Sequence, residues 1–253
     1  MDGCPHPTRD DAVRRGGSRG RRADRDRRPE HRAGRRGYRS RLVERLTCPV
    51  ICRRDDLERR VLALTFDDGP SRWTPAVLDL LGEQEARATF FVVGRYAEER
   101  PEVVERMARE GHEVGNHTFD HVDAAHERDE AVLRDQIART TEAIRAAGAQ
   151  THLMRPPYGK DACRVARLAS EQGLSPTILW SVQAWDWAEP PPDQIATDVL
   201  RGAEPGAIVL LHDGVPPDER RDCAGTVAAL GEILPALRRD GYELVTVSEL
   251  LAA

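Results

Sequence analysis

The chain has 253 residues, 40% hydrophobic and only 5% aromatic, with a formal net charge of -5 at pH 7. That length and apolar content suit one large α/β domain or two small ones, and no run is long and apolar enough for a transmembrane helix. The charge is uneven: residues 1–60 carry 19 arginines against 10 acidic residues, whereas the remainder carries 19 basic and 33 acidic residues, a net of -14.

Residues 1–55 are rich in Arg, Asp and Gly and cannot bury enough surface to offset the entropy of ordering, so they read as a disordered N-terminal segment. Their one apolar patch, 42–52, could dock as a short element. A basic arm on an acidic body can attract nucleic acid or anionic membrane. No aromatic interleaving or DNA-binding motif accompanies the arginines, and no specific nucleic-acid partner is expected. The arginine-rich start lacks the apolar core of a signal peptide, so as written the chain reads as cytoplasmic. Five cysteines (Cys4, Cys48, Cys52, Cys163 and Cys223) at irregular spacing do not read as a disulfide framework. Cys48 and Cys52 lack the second Cys/His pair that a structural metal site would need.

From residue 56 onward the pattern becomes that of a folded catalytic domain, 56–253. Apolar runs predict strands at 61–66, 88–93, 112–115, 151–155, 177–182, 207–211 and 243–247. Between them, 3.6-residue periodicity predicts helices at 74–84, 101–110, 129–147, 162–172, 193–202 and 225–239. Gly111, Gly148, Gly173 and Gly241 follow four of these, as helix C-termini favour. Seven strands alternating with helices imply a parallel sheet with helices outside it. Counting alone leaves a barrel and an open sheet as alternatives.

Polar groups gather at the C-terminal ends of these strands, where α/β proteins build their sites. The first strand runs straight into Asp67-Asp68-Gly69-Pro70, two carboxylates that serve no core, followed by a breaker. The strand ending at Gly115 delivers Asn116-His117-Thr118-Phe119-Asp120-His121. One helical turn would put both imidazoles on one face, at a spacing that suits a divalent metal with a carboxylate as third ligand. His112, His126 and His152 read as surface or strand-edge residues. Arg155-Pro156-Pro157-Tyr158-Gly159 fixes a loop whose rigid backbone can aim an N–H, and Arg155 can pin a neighbouring carboxylate. Trp180, Trp185 and Trp187 cluster within eight residues and suggest a sugar-stacking wall. The strand at 207–211 then delivers His212.

In this order, Thr-Phe-Asp-Asp-Gly-Pro, His-Thr-x-x-His, Arg-Pro-Pro-Tyr-Gly, Asp-Trp and Leu-x-His resemble the polysaccharide deacetylase family, carbohydrate esterase family 4. The likeness spans roughly residues 61–250. It implies a distorted, incomplete (β/α) barrel of about seven parallel strands, and hydrolysis of acetyl groups on glycans. N-Deacetylation of N-acetylglucosamine-containing chains is the leading activity. O-deacetylation of the acetylxylan type, and a non-catalytic glycan-binding protein on the same barrel, are the alternatives; the presence of both Asp67 and His212 speaks against the latter. Carried over, Asp68, His117 and His121 match the metal ligands, usually of Zn2+. Asp67 matches the general base, His212 the general acid, and Tyr158 the residue whose backbone N–H holds the oxyanion. Arg155 matches the partner of Asp67, Asp186 that of His212, and Trp187, Leu210 and Trp185 the substrate-binding wall. Gln183 stands where the family commonly has an acid, which bears on local geometry and substrate choice.

Overall fold

The computed structural model describes residues 48–253. The chain order is β1 (Val50–Ile51), β2 (Val61–Asp67), α1 (Thr74–Glu83), β3 (Thr89–Val92), α2 (Gly94–Glu99), α3 (Pro101–Arg109), β4 (Glu113–Asn116) and α4 (Glu130–Ala146). It continues with α5 (Ala162–Ser170), β5 (Thr177–Ile178), β6 (Val182–Gln183), α6 (Pro192–Gly202), β7 (Ile208–His212), α7 (Ala224–Arg239), β8 (Glu243–Leu244) and α8 (Val247–Ala252).

All seven residues of β2 are buried, because both faces of this strand are covered. Leu62, Leu64 and Phe66 point outward into the core shared with the helices, among Val77, Leu78, Leu230 and Ile233. Val61 and Ala63, offset by one, point inward to a second core with Phe91, Leu153, Ile178 and Leu210. A fully apolar strand, rather than an alternating one, is what such double coverage demands. The main sheet runs β4-β3-β2-β7-β6, parallel throughout, and β8 adds a short pairing at the start of β2. Single bridges at Met154, to Asn116 and Thr177, continue it toward the separate pair β1-β5. The sheet does not close, and the fold is the distorted, incomplete α/β barrel that the family resemblance implies.

Several predicted elements change form. The run 151–155 contributes only the bridges of Met154. The run 177–182 breaks into β5 and β6, since one end pairs with β1 and the other with β7. The last strand stops at Leu244, because Thr246 and Glu249 form a capping box that opens α8. Helix α2 follows β3 directly. Of the segment 1–55, residues 48–55 are described. Here Val50–Ile51 pairs in parallel with Thr177–Ile178, so the apolar end of that segment does dock. The rest of the segment lies outside the described residues. Cys48, Cys52 and Cys163 are disulfide-bonded, and Cys223 is a buried free thiol. Spacing along the chain had argued against disulfides, but spacing does not report proximity in the fold.

Candidate active site

β2 and β7 are neighbours in register, with Asp67 opposite His212. Side chains level with each other on adjacent strands project to the same face, so the two strands deliver this carboxylate and this imidazole side by side. The loops that follow pack backbone on backbone. A Cβ on Gly69 would meet the Asp213 carboxylate at 2.3 Å, and one on Gly214 would meet the Asp68 carbonyl oxygen at 2.0 Å. This close approach explains why each strand-end acid is followed by glycine.

Asp67 and Asp68 are both buried but turn to different partners. Asp67 Oδ1 accepts from Arg155 Nη1 at 2.7 Å. Arg155 is 0% exposed, and its remaining donors reach Thr65 Oγ1 at 2.8 Å, Ile178 O at 3.2 Å and Leu179 O at 3.1 Å. Its guanidinium also lies 4.1 Å from the Phe91 ring centroid. A buried cation held by four hydrogen bonds keeps its carboxylate partner in one orientation.

Asp68, at φ 70, turns its carboxylate toward two histidines. His117 Nε2 lies 3.3 Å and His121 Nε2 3.1 Å from Asp68 Oδ1. The His117–His121 segment is not a helical turn, as the four-residue spacing had suggested. Thr118 and His121 take left-handed φ values of 64 and 57, and the loop is pinned by Asn116 Oδ1 to Thr118 N and by Gln136 Oε1 to Asp120 N. The rings still meet, with centroids 5.1 Å apart. His117 Nδ1 donates to Arg155 O at 2.7 Å, which leaves the lone pair of the neutral ring on Nε2, facing the carboxylate. Asp68 Oδ1 and His121 Nδ1 are buried without a hydrogen-bond partner. An acceptor oxygen between two imidazole nitrogens is the donor set of a cation site. Within 4.8 Å of one another, these three ligand atoms fit a divalent ion with room for further ligands. Burial alone would raise the Asp68 carboxyl, but His121 and His117 outweigh it and hold the acid far below the usual carboxylate range.

On the neighbouring strand the arrangement is reversed. His212 Nδ1 lies 2.8 Å from Asp186 Oδ1, and the His212 backbone N–H donates to Asp186 Oδ2 at 2.7 Å. Thr226 Oγ1 adds a third bond to the same carboxylate at 2.9 Å. Burial opposes a charged imidazole, yet the Asp186 carboxylate prevails and raises His212 from 6.5 to about 9.

Asp67, Asp68, His117, His121 and His212 all line one cleft of about 470 Å³. Tyr158, Trp180, Trp187 and Leu210 form its less polar walls. Tyr158 sits at φ 60, half exposed, its ring edge-on to that of His121 with centroids 4.7 Å apart. The hydrogen bonds of its turn run from Gly159 N to Pro156 O and from Lys160 N to Pro157 O, which spares the Tyr158 N–H. Of the sequence-predicted residues, Trp185 does not line the cleft; it packs at 5.8 Å against Trp187, which does. Asp68, His121, Tyr158 and Trp185 all hold left-handed backbone, a strain of about 1–3 kcal/mol each that collects at functional rims.

Sequence reasoning missed Thr65 and Thr226, whose hydroxyls brace the two ion pairs and which carry no signal of their own. It also missed the loop 214–223, which brings Pro216, Glu219 and Arg221 to the cleft. Gln183 lines the cleft and accepts from Trp180 Nε1 at 3.3 Å, so this departure from the family pattern is a structural partner of a wall residue. His112, read as a surface residue, is buried: its Nδ1 accepts from Ala88 N at 3.2 Å, and burial lowers its pKa to about 4.

The comparisons agree with this geometry. Residues 54–177 match the family model described as polysaccharide deacetylase. A chitooligosaccharide deacetylase of Bradyrhizobium sp. (strain ANU 289) is 44% identical over 200 residues, covering 76% of this chain and 90% of the relative. A peptidoglycan-N-acetylglucosamine deacetylase of Bacillus cereus is 42% identical over 198 residues, covering 76% and 88%. Among solved structures, a peptidoglycan N-acetylglucosamine deacetylase in complex with 4-naphthalen-1-yl-N-oxidanyl-benzamide superposes with a TM-score of 0.74 at 34% identity, covering 81% of this chain and 94% of that one. With the fold, the paired strand ends and the similarity along most of its length all in agreement, this chain belongs to the polysaccharide deacetylase family.

Proposed function

We propose that the protein hydrolyses the N-acetyl groups of N-acetylglucosamine-containing oligo- or polysaccharides, with Asp67 as general base and His212 as general acid. The observation that carries this reading is the pair of ion pairs of inverted polarity, side by side on β2 and β7, that line one cleft with the Asp68, His117 and His121 cluster. Asp68, His117 and His121 hold a divalent ion, which we take to be zinc, and when bound it supplies Lewis-acid chemistry to the site.

The chain's own groups do the rest. Asp67, aimed by Arg155, takes a proton from the attacking water as its oxygen bonds to the acetyl carbonyl carbon. The spared Tyr158 N–H donates to the oxyanion of the tetrahedral species. His212, held protonated by Asp186, gives its proton to the sugar nitrogen as the C–N bond breaks, releasing amine and acetate. Leu210 and Trp187 shape the wall against the acetyl methyl group, and Trp180 and Tyr158 offer ring surface to the sugar. Acetate release from chitooligosaccharides, peptidoglycan and acetylxylan, with chelator and with metal restored, tests the assignment. Chelator-sensitive release from the N-acetylated glycans is expected. Release from acetylxylan alone would replace the amide with an ester as substrate, and release from none would reject the activity.

A further inference from the structure

We propose that the cleft also takes amino sugars whose N-acyl group carries an oxygen on the carbon beside the carbonyl, as hydroxyacetyl does, and that Gln183 recognises that oxygen. The inference rests on the glycan-deacetylase reading above and adds a second acyl group to it. β6 and β7 are neighbours in register, with Gln183 opposite Leu210. Val182 packs into the core shared with the helices, so Gln183, the next residue, projects to the barrel interior beside Leu210. Leu210 belongs to the wall assigned to the acetyl methyl group, and Gln183 lines the same cleft. A polar side chain thus stands next to a wall for which a methyl group would need only apolar contact.

The chemistry of the neighbouring ring fixes which end of the amide faces the cleft. An indole N–H only donates, so the end that meets Trp180 Nε1 at 3.3 Å is Oε1. Nε2 is then the free end. It has no hydrogen-bond partner among the described residues and is not a buried atom, so it opens on the cleft that Gln183 lines. The ionised acid that the family commonly has at this position could only accept; the amide accepts from the wall and keeps its N–H donors for the cleft. An acetyl methyl group offers these donors nothing, whereas a hydroxyl on the same carbon accepts from one of them. The bonds made and broken are those of deacetylation. The water oxygen bonds to the carbonyl carbon, the C–N bond breaks, and the proton of His212 goes to the sugar nitrogen. Free amine and hydroxyacetate leave, and the added hydroxyl takes no part in the reaction.

The test measures kcat/KM of the metal-loaded full chain on glucosamine tetramers carrying N-acetyl, N-hydroxyacetyl or N-propionyl groups. Propionyl matches hydroxyacetyl in size and lacks the acceptor, so the ratio of these two separates the hydrogen bond from size. Wild type should hydrolyse the hydroxyacetyl tetramer faster than the propionyl one. In Gln183→Met and in Gln183→Leu that ratio should fall about fivefold, the worth of one neutral hydrogen bond. A shift of Trp180 on losing its indole partner would act on both tetramers alike and leave the ratio in place. Melting temperatures check folding, and either variant carries the test alone. A ratio that neither variant changes would overturn the inference; it is the result expected if Gln183 only holds Trp180 or meets a sugar hydroxyl. A wild type that hydrolyses the acetyl tetramer and not the hydroxyacetyl one would also overturn it while leaving the deacetylase reading intact. Turnover of none of the three would remove that reading itself.

Discussion

The cleft is built from two ion pairs that are mirror images in role. In Arg155–Asp67 the carboxylate lines the cleft and the cation is fully buried behind it; in His212–Asp186 the imidazole lines the cleft and the carboxylate is buried behind. The contacts are nearly equal, 2.7 and 2.8 Å, and the cleft-lining members stand side by side on β2 and β7. What differs is which partner meets the substrate, and whether the cation can release a proton. A guanidinium cannot, so the first pair presents a fixed acceptor; an imidazolium can, so the second presents a donor. In the proposed mechanism, acid and base are thus separated by inverting one motif.

The largest effect should come from removing what both pairs face. Asp68→Ala deletes one of three ligand side chains, and metal content by elemental analysis should collapse together with activity. Asp67→Asn breaks the first pair while leaving the ligand cluster whole. Metal should stay bound while kcat falls about 10²–10⁴-fold, the usual worth of a positioned base. Loss of metal in Asp67→Asn with retention in Asp68→Ala would reverse the two assignments.

Asp186→Asn breaks the second pair. Its loss should be at the lower end, about 10²-fold, and should grow with pH. Asp186 raises His212 to about 9, so without it the protonated acid disappears at lower pH and the alkaline limb of the rate profile moves down. The same shift appears in stability. Because the folded-state value lies above the ordinary 6.5, the pair's contribution is complete below that value and is lost as the pH rises through about 9. Denaturant unfolding between pH 7 and pH 10 should therefore show wild type losing more stability than Asp186→Asn. An unchanged pH profile in this variant would mean that Asp186 is only a packing group. The smallest effect is expected from Thr226→Val, which removes one of the bonds to Asp186 and should cost about 1 kcal/mol of stability.

How legible each part was follows from how it is encoded. β2 was visible because a doubly covered strand must be apolar throughout, and the acids after it stood out against that run. Arg155 and His212 stood out at strand ends, but the pairing of Arg155 with Asp67 and of Asp186 with His212 came from motif order rather than from any local rule. Their distances depend on which strands are neighbours, and β2 pairing with β7 joins residues 145 positions apart. The histidine loop shows the limit of periodicity: the four-residue spacing was informative, but left-handed Thr118 and His121 bring the rings together, not a helix. Thr226 and Thr65 were illegible because a hydroxyl that braces an ion pair looks like any other. Short pieces such as β5, β6 and β8 were over-read as longer strands because apolar runs also fill the barrel interior without pairing.

The protonation state of His212 is where the inverted-pair arrangement can be tested most directly. Nuclear magnetic resonance titration of its imidazole, in metal-loaded wild type and in Asp186→Asn, reports it without reference to turnover. In wild type the ring should be cationic at pH 7 and titrate above the ordinary 6.5, with the midpoint falling in Asp186→Asn. A His212 that is neutral at pH 7 in the wild type, or a midpoint that Asp186→Asn leaves in place, would contradict the assignment of His212 as the acid held ready by Asp186.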